Sequence, residues 1–162
     1  MGGRAEVTVL APGTPVPEFT LRTEEGGTFT RDDLTGRTTV LVFYPFAFSA
    51  VCTDQMQIYE EVLEDLLAAG ARLYGVSTDA SDSQRAFRES LGVTIPMLSD
   101  FEPKGAVARA FGVYWDRGGM ATRALVIVGP DHVVRWSWEG EHPGVLPGAN
   151  LIFDGLASSA AA

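Results

Sequence analysis

Cys52 is the only cysteine in the chain, so any thiol chemistry starts from one sulfur. A lone cysteine is most often a small buried hydrophobe without reactivity. The surroundings of Cys52 argue for more. It follows a strand-like run, Thr38–Tyr44, and opens an amphipathic helical stretch. In the first turn of a helix the backbone N–H groups lack intrahelical acceptors, and together with the helix dipole they favour a negative charge on sulfur. The thiolate is the nucleophilic form. The residues leading to it read Pro45-Phe46-Ala47-Phe48-Ser49-Ala50-Val51-Cys52. Ser49 places a hydroxyl three residues upstream, and Pro45 can shape and shield a pocket. Far along the chain, Arg123 begins another apolar run and can bring a permanent positive charge with a planar fork of donors. Taken singly, each has a plain structural reading. Pro45 could terminate a strand, Ser49 could be a loop hydroxyl, and Arg123 could be a solvated strand end that adds little to the core, with Arg135 as another available arginine.

The elements that must position these residues are legible as hydrophobic periodicity. The opening stretch 11–36 is rich in Pro, Gly and Thr, with extended pieces at Glu18–Thr23 and Thr28–Thr30 joined by a turn at Glu25-Gly26-Gly27. Thr38–Tyr44 is nearly all apolar, which suits a strand buried on both faces, and Pro45 ends it. A helix is expected from about Cys52 to Ala69, with Met56, Tyr59, Val62, Leu63, Leu66 and Leu67 on one face and Gly70 as C-cap. Arg72–Ser77 reads as the next strand. Ser81 and Gln84 read as a capping box opening a helix over Asp82–Ser90, and a further helix lies near Gly105–Phe111. Strands Arg123–Val128 and Val133–Trp138 flank the turn Gly129-Pro130-Asp131. Asn150 is placed as the cap of a closing helix containing Leu151 and Leu156, and 157–162 as a fraying tail. The order strand, helix, strand, helix, helix, hairpin, helix predicts an α/β chain. It takes the thioredoxin-like arrangement, with a mixed central sheet, helices on both faces and an N-terminal extension. With 162 residues, one domain over 1–162 is expected.

Thioredoxin-like redox proteins carry a Cys-x-x-Cys at the start of this helix. Gln55 stands at the second position here, which closes dithiol exchange to this chain. The stretch Pro45…Ser49…Cys52 instead resembles the peroxiredoxin signature Pro-x-x-x-Thr/Ser-x-x-Cys, and the preceding Val42-Phe43-Tyr44 matches that family's lead-in. Ala11-Pro12-Gly13…Pro17-Glu18-Phe19-Thr20-Leu21 is similar to the family's N-terminal segment. Met120–Val128 is similar to the strand that brings in its active-site arginine. The resemblance runs from about Pro12 to Trp138. It implies a thiol-dependent peroxidase in which Cys52, Arg123, Ser49 and Pro45 form the catalytic set. It departs from the common pattern in Ser49 for Thr, Thr53 for Pro and Gln55 for Glu. No resolving cysteine exists, so the resemblance is to the one-cysteine kind, most like the alkyl hydroperoxide reductase E (AhpE) subgroup. It implies a hydroperoxide substrate, an external thiol or redoxin as reductant, no cofactor, and a homodimer paired through loops bearing Phe46, Phe48 and Trp115.

Composition excludes other classes. The net charge of −9 and the pI near 4.6 disfavour nucleic acid and anionic lipid as partners. No apolar run approaches the roughly 18 residues of a membrane span, and Met1–Ala5 lacks a secretory pattern, so a cytoplasmic protein is expected. One cysteine rules out an intramolecular disulfide and a Cys-rich zinc site, and no metal is expected. His132 and His142 read as surface or turn residues, which argues against a Cys–His hydrolase. The alternative from another class is a non-catalytic thioredoxin-like binding module with an inert Cys52.

Overall fold

The computed structural model describes residues 8–160. The N-terminal residues 1–7 and the last two of the tail lie outside them. Among the described residues nine strands form: β1 (Thr20–Thr23), β2 (Thr28–Thr30), β3 (Thr38–Phe43), β4 (Ala71–Ser77), β5 (Met97–Ser99), β6 (Tyr114–Trp115), β7 (Met120–Ala121), β8 (Ala124–Val128) and β9 (Val134–Glu139). Seven of them make one mixed sheet in the order β2-β1-β5-β4-β3-β8-β9, and β6 pairs with β7 in a separate ribbon. β3, β4 and β5 run parallel, and β8 lies antiparallel beside β3 with Ala124 opposite Phe43. That pairing brings the N-terminal end of β8 to the C-terminal end of β3, where the Pro45 loop begins. β3 and β8 are central because Val40–Phe43 and Ala124–Val128 are wholly apolar and buried on both faces.

The helices are α1 (Ala50–Glu61), α2 (Leu63–Ala68), α3 (Ser81–Leu91), α4 (Ala106–Ala110) and α5 (Ala149–Ala160). They cover both faces of the sheet. Cys52, Met56 and Tyr59 of α1, Leu66 of α2, Phe87 of α3 and Ile152 of α5 pack on one face. Val107 and Ala108 of α4 pack on the other with Phe111 and the N-terminal segment. Among the described residues no helix is long and apolar enough to cross a membrane.

The sequence reading needs correction at several points, and the C-cap of α2 is Ala69 rather than Gly70. The helix expected over Cys52–Ala69 starts two residues earlier and breaks at Val62, whose φ of −111° and ψ of 11° leave the helical region. Ser81 and Gln84 form no capping box: Ala80 is the N-cap, and the Gln84 amide is buried, donating to Ser77 Oγ at 2.9 Å and to the Leu98 carbonyl at 2.8 Å. Asn150 lies inside α5, and α5 extends through the expected tail as far as residue 160. Trp115 belongs to β6 rather than to a loop. Arg123 is no solvated strand end, since it is buried just before β8.

Candidate active site

Pro45 leaves β3 buried, and the chain turns through Phe46, Ala47 and Phe48 before α1 begins. Two contacts hold this loop. The Ala47 N–H donates to Asp79 Oδ2 at 2.8 Å, and the same oxygen accepts from Ser77 Oγ at 2.7 Å. The Ser99 hydroxyl donates to the Asp79 backbone carbonyl at 2.6 Å, so β4, β5 and the loop converge on one residue. Phe48 adopts φ +69°, a conformation that strains a residue with a side chain, and its ring meets Phe87 edge-on with centroids 5.3 Å apart. Gly75 of β4 leaves room beneath the loop: a Cβ there would meet Met97 Sδ and the Tyr44 ring.

Ser49 is the N-cap of α1, yet its side chain makes no capping hydrogen bond. Serine at this position ordinarily satisfies an amide of the first turn. Here Ser49 Oγ is buried without any hydrogen-bond partner. The first intrahelical bond runs from the Thr53 N–H to the Ser49 carbonyl at 2.9 Å. The amides of Ala50, Val51 and Cys52 therefore precede the helical ladder and have no acceptor within it. Cys52 follows one turn after Ser49, free of disulfide and fully buried among Tyr44, Met56 and Tyr59.

Arg123 reaches the same helix one turn further on. Its Nη1 donates to Gln55 Oε1 at 2.7 Å and its Nε to the Pro143 carbonyl at 2.7 Å. Residues three apart share a helix face, so the guanidinium lies along the face that carries Cys52. Arg123 is 2% exposed. Gln55 Nε2 in turn donates to Tyr59 Oη at 3.1 Å, and Tyr59 Oη to the Pro147 carbonyl at 2.7 Å.

The structure thus gathers Pro45, Ser49, Cys52 and Arg123 at one end of β3 and β8. Arg135 is not among them. It pairs with Asp131 at 2.7 Å at the opposite end of the β8–β9 hairpin. His132 lies 2.6 Å from the Thr35 hydroxyl, and His142 Nδ1 accepts from the Gly144 N–H at 3.1 Å. Neither histidine has a described contact with Cys52. Sequence reasoning missed Tyr59, Asp79 and the carbonyls of Pro143 and Pro147. The spacing of Gln55 and Tyr59, four apart on one helix face, was the one available signal. Backbone carbonyls leave none.

A buried thiol at a helix start, an unsatisfied hydroxyl one turn before it and a buried guanidinium bonded to the helix one turn after it thus lie together on a thioredoxin-like α/β fold. Residues 12–137 match the model of the AhpC/TSA family. The chain belongs to that family, the peroxiredoxins, and is a thiol-dependent peroxidase. It is 29% identical to alkyl hydroperoxide reductase E of Mycobacterium tuberculosis over 151 residues, covering 93% of this chain and 98% of the relative. A putative peroxiredoxin of the same organism is 35% identical over 112 residues, 69% of this chain and 70% of the relative. Among solved structures, Enterococcus faecalis AhpC superposes with a TM-score of 0.83 at 28% identity, over 92% of each chain.

Proposed function

We propose that this chain reduces hydrogen peroxide and organic hydroperoxides through the Cys52 thiolate, with Ser49, Arg123 and Pro45 serving the reacting oxygens. The sulfur attacks one peroxide oxygen, the O–O bond breaks, and the other oxygen leaves as hydroxide or alkoxide and takes a proton. Cys52 is left as a sulfenic acid. Ser49 holds the bound peroxide in line, and the amides of the first turn of α1 steady its oxygens. Arg123 offsets charge on sulfur and on the leaving oxygen. Pro45 walls the pocket from water. With no second cysteine in the chain, an external thiol must attack the sulfenic acid, releasing water and forming a mixed disulfide that a second thiol resolves.

The unpaired, buried Ser49 hydroxyl carries this reading. Leaving such a group unsatisfied costs about 1–3 kcal/mol, and a bound peroxide would satisfy it. A non-catalytic module would share the burial of Cys52 but would have no use for that hydroxyl. The test is mass spectrometry of the reduced protein after brief exposure to peroxide. One oxygen added at Cys52, absent in Cys52→Ser, is the expected result. An unmodified thiol sinks the proposal, and sustained peroxide turnover without added thiol, beyond the few equivalents that overoxidation of one sulfur can take, sinks the recycling step. We further place the enzyme in the cytoplasm, and as a homodimer. Phe46 and Phe48, 39% and 58% exposed, are better covered than solvated. Sedimentation finding only monomer at micromolar concentration would remove the dimer.

A further inference from the structure

Gln55 is the point at which this sequence departs from the glutamate common among peroxiredoxins, and the hydrogen bonds around it suit an amide rather than a carboxylate. A guanidinium can only donate, so the group facing Arg123 must be the Gln55 oxygen. Its Nε2 is then turned toward Tyr59 and donates to the phenol oxygen at 3.1 Å. Having accepted that bond, Tyr59 gives its own proton to the Pro147 carbonyl at 2.7 Å. Each group uses its donor and acceptor roles once, in a single direction. A carboxylate at position 55 could accept from Arg123 but not donate to Tyr59. The one phenol proton would then have to turn from Pro147 to the carboxylate, or two sets of lone pairs would face each other.

Charge makes the same distinction. Among the described residues Arg123 forms no ion pair, and both acceptors it holds, Gln55 and the Pro143 carbonyl, are neutral. A buried charge without a counter-ion is costly unless an anion arrives to meet it. The two ends of the relay land on Pro143 and Pro147, so it also ties the segment leading into α5 to the helix of Cys52.

We propose that Gln55 is a positioning residue: a neutral acceptor that aims the Arg123 guanidinium while leaving its charge to the anions formed at Cys52, with Tyr59 locking the 143–147 segment behind it. The inference rests on the peroxidase reading above, and the experiment separates the two. Stopped-flow oxidation by hydrogen peroxide and the pH profile of Cys52 alkylation by iodoacetamide are measured for wild type, Gln55→Met and Gln55→Glu. The Gln55→Met change is repeated in an Arg123→Gln background. Gln55→Met should slow oxidation by roughly tenfold to a hundredfold, because the guanidinium loses its aim. Gln55→Glu should slow it too and also move the alkylation profile up by about one pH unit. In the Arg123→Gln background Gln55→Met should cost nothing more. Should Gln55→Met fail to fold, Tyr59→Phe, which keeps the packing and removes the phenol, should slow oxidation instead. The inference is overturned if the foldable variant reacts at the wild-type rate, if Gln55→Glu leaves the alkylation profile in place, or if the two losses add. A wild-type protein inert to peroxide would overturn the peroxidase reading itself.

Discussion

Ser49 and Arg123 are held in opposite ways, and substitutions should separate them. Ser49 Oγ makes no hydrogen bond, so Ser49→Ala removes no cap and relieves a buried polar group. Peroxide reduction should fall by tenfold or more, roughly the scale of losing one positioned donor. The melting temperature should hold or rise, against the loss of about 1 kcal/mol usual for an N-cap serine. Ser49→Thr keeps the hydroxyl and should keep the activity. Calorimetry showing Ser49→Ala destabilised by a full cap's worth would mean that the hydroxyl caps α1 after all. Arg123 donates two hydrogen bonds, the one to Gln55 buried, so Arg123→Ala should lose on both counts. Stopped-flow Trp fluorescence should show oxidation slowed by two or more orders of magnitude, about 3 kcal/mol of transition-state stabilisation. Denaturant unfolding should show a loss of about 1–3 kcal/mol from the orphaned acceptors. Arg123→Lys keeps the charge but not the fork and should remain impaired. An unaffected Arg123→Ala alongside a crippled Arg135→Ala would reassign the arginine.

At the scale of elements, the loop between β3 and α1 depends on Asp79, which receives the Ala47 amide and the Ser77 hydroxyl on one oxygen. Asp79→Ala should free a loop already strained at Phe48, slowing peroxide reduction and raising hydrogen exchange at the Ala47 amide. Unchanged exchange there would mean that the Phe48–Phe87 contact suffices alone. Much of this frame was legible in sequence. β3 and β8 announce themselves as apolar runs, and Pro45, Ser49 and Cys52 lie close enough in the chain for spacing to place them. Arg123 was singled out by the resemblance of Met120–Val128 to the family's arginine-bearing strand, while its burial and its bond to Gln55 left no mark in the sequence. What could not be read was set by tertiary geometry. β5 has only three residues and gains strand form from pairing with β4 and β1. The break at Val62 leaves no mark in the sequence, because the apolar stripe continues through it. Gln84 fits a capping box by spacing, but burial offered its amide better partners in Ser77 and Leu98. Asp79 anchors the β3–α1 loop from the bend that follows β4, a contact with no local pattern.

For the molecule as a whole, two buried phenols set an alkaline limit. Burial raises Tyr44 well above its ordinary 10.0. Burial likewise raises Tyr59, opposed by Gln55 and by the Arg123 charge. Each phenol holds its proton more tightly folded than unfolded. Their contribution to stability is therefore complete below pH 10 and drains away above it, at up to about 1.4 kcal/mol per pH unit for each group. Denaturant midpoints should fall steeply above pH 10, and less so in Tyr59→Phe; equal slopes for both proteins would exclude Tyr59 from the effect. The burial of Cys52 at 0% exposure carries a different consequence, a kinetic one. A small peroxide can enter a closed site, but a reductant's sulfur must come within about 2.0 Å of the oxidised one to bond to it. A protein thiol should therefore reach the sulfur only if the first turn of α1 opens. Oxidation and recycling should then run on separate clocks, with the second gated. Recycling rates measured against rising reductant concentration should level off at the opening rate, and Asp79→Ala should lift that plateau. A rate that stays linear in reductant would mean the thiol reaches the sulfur with the gate shut.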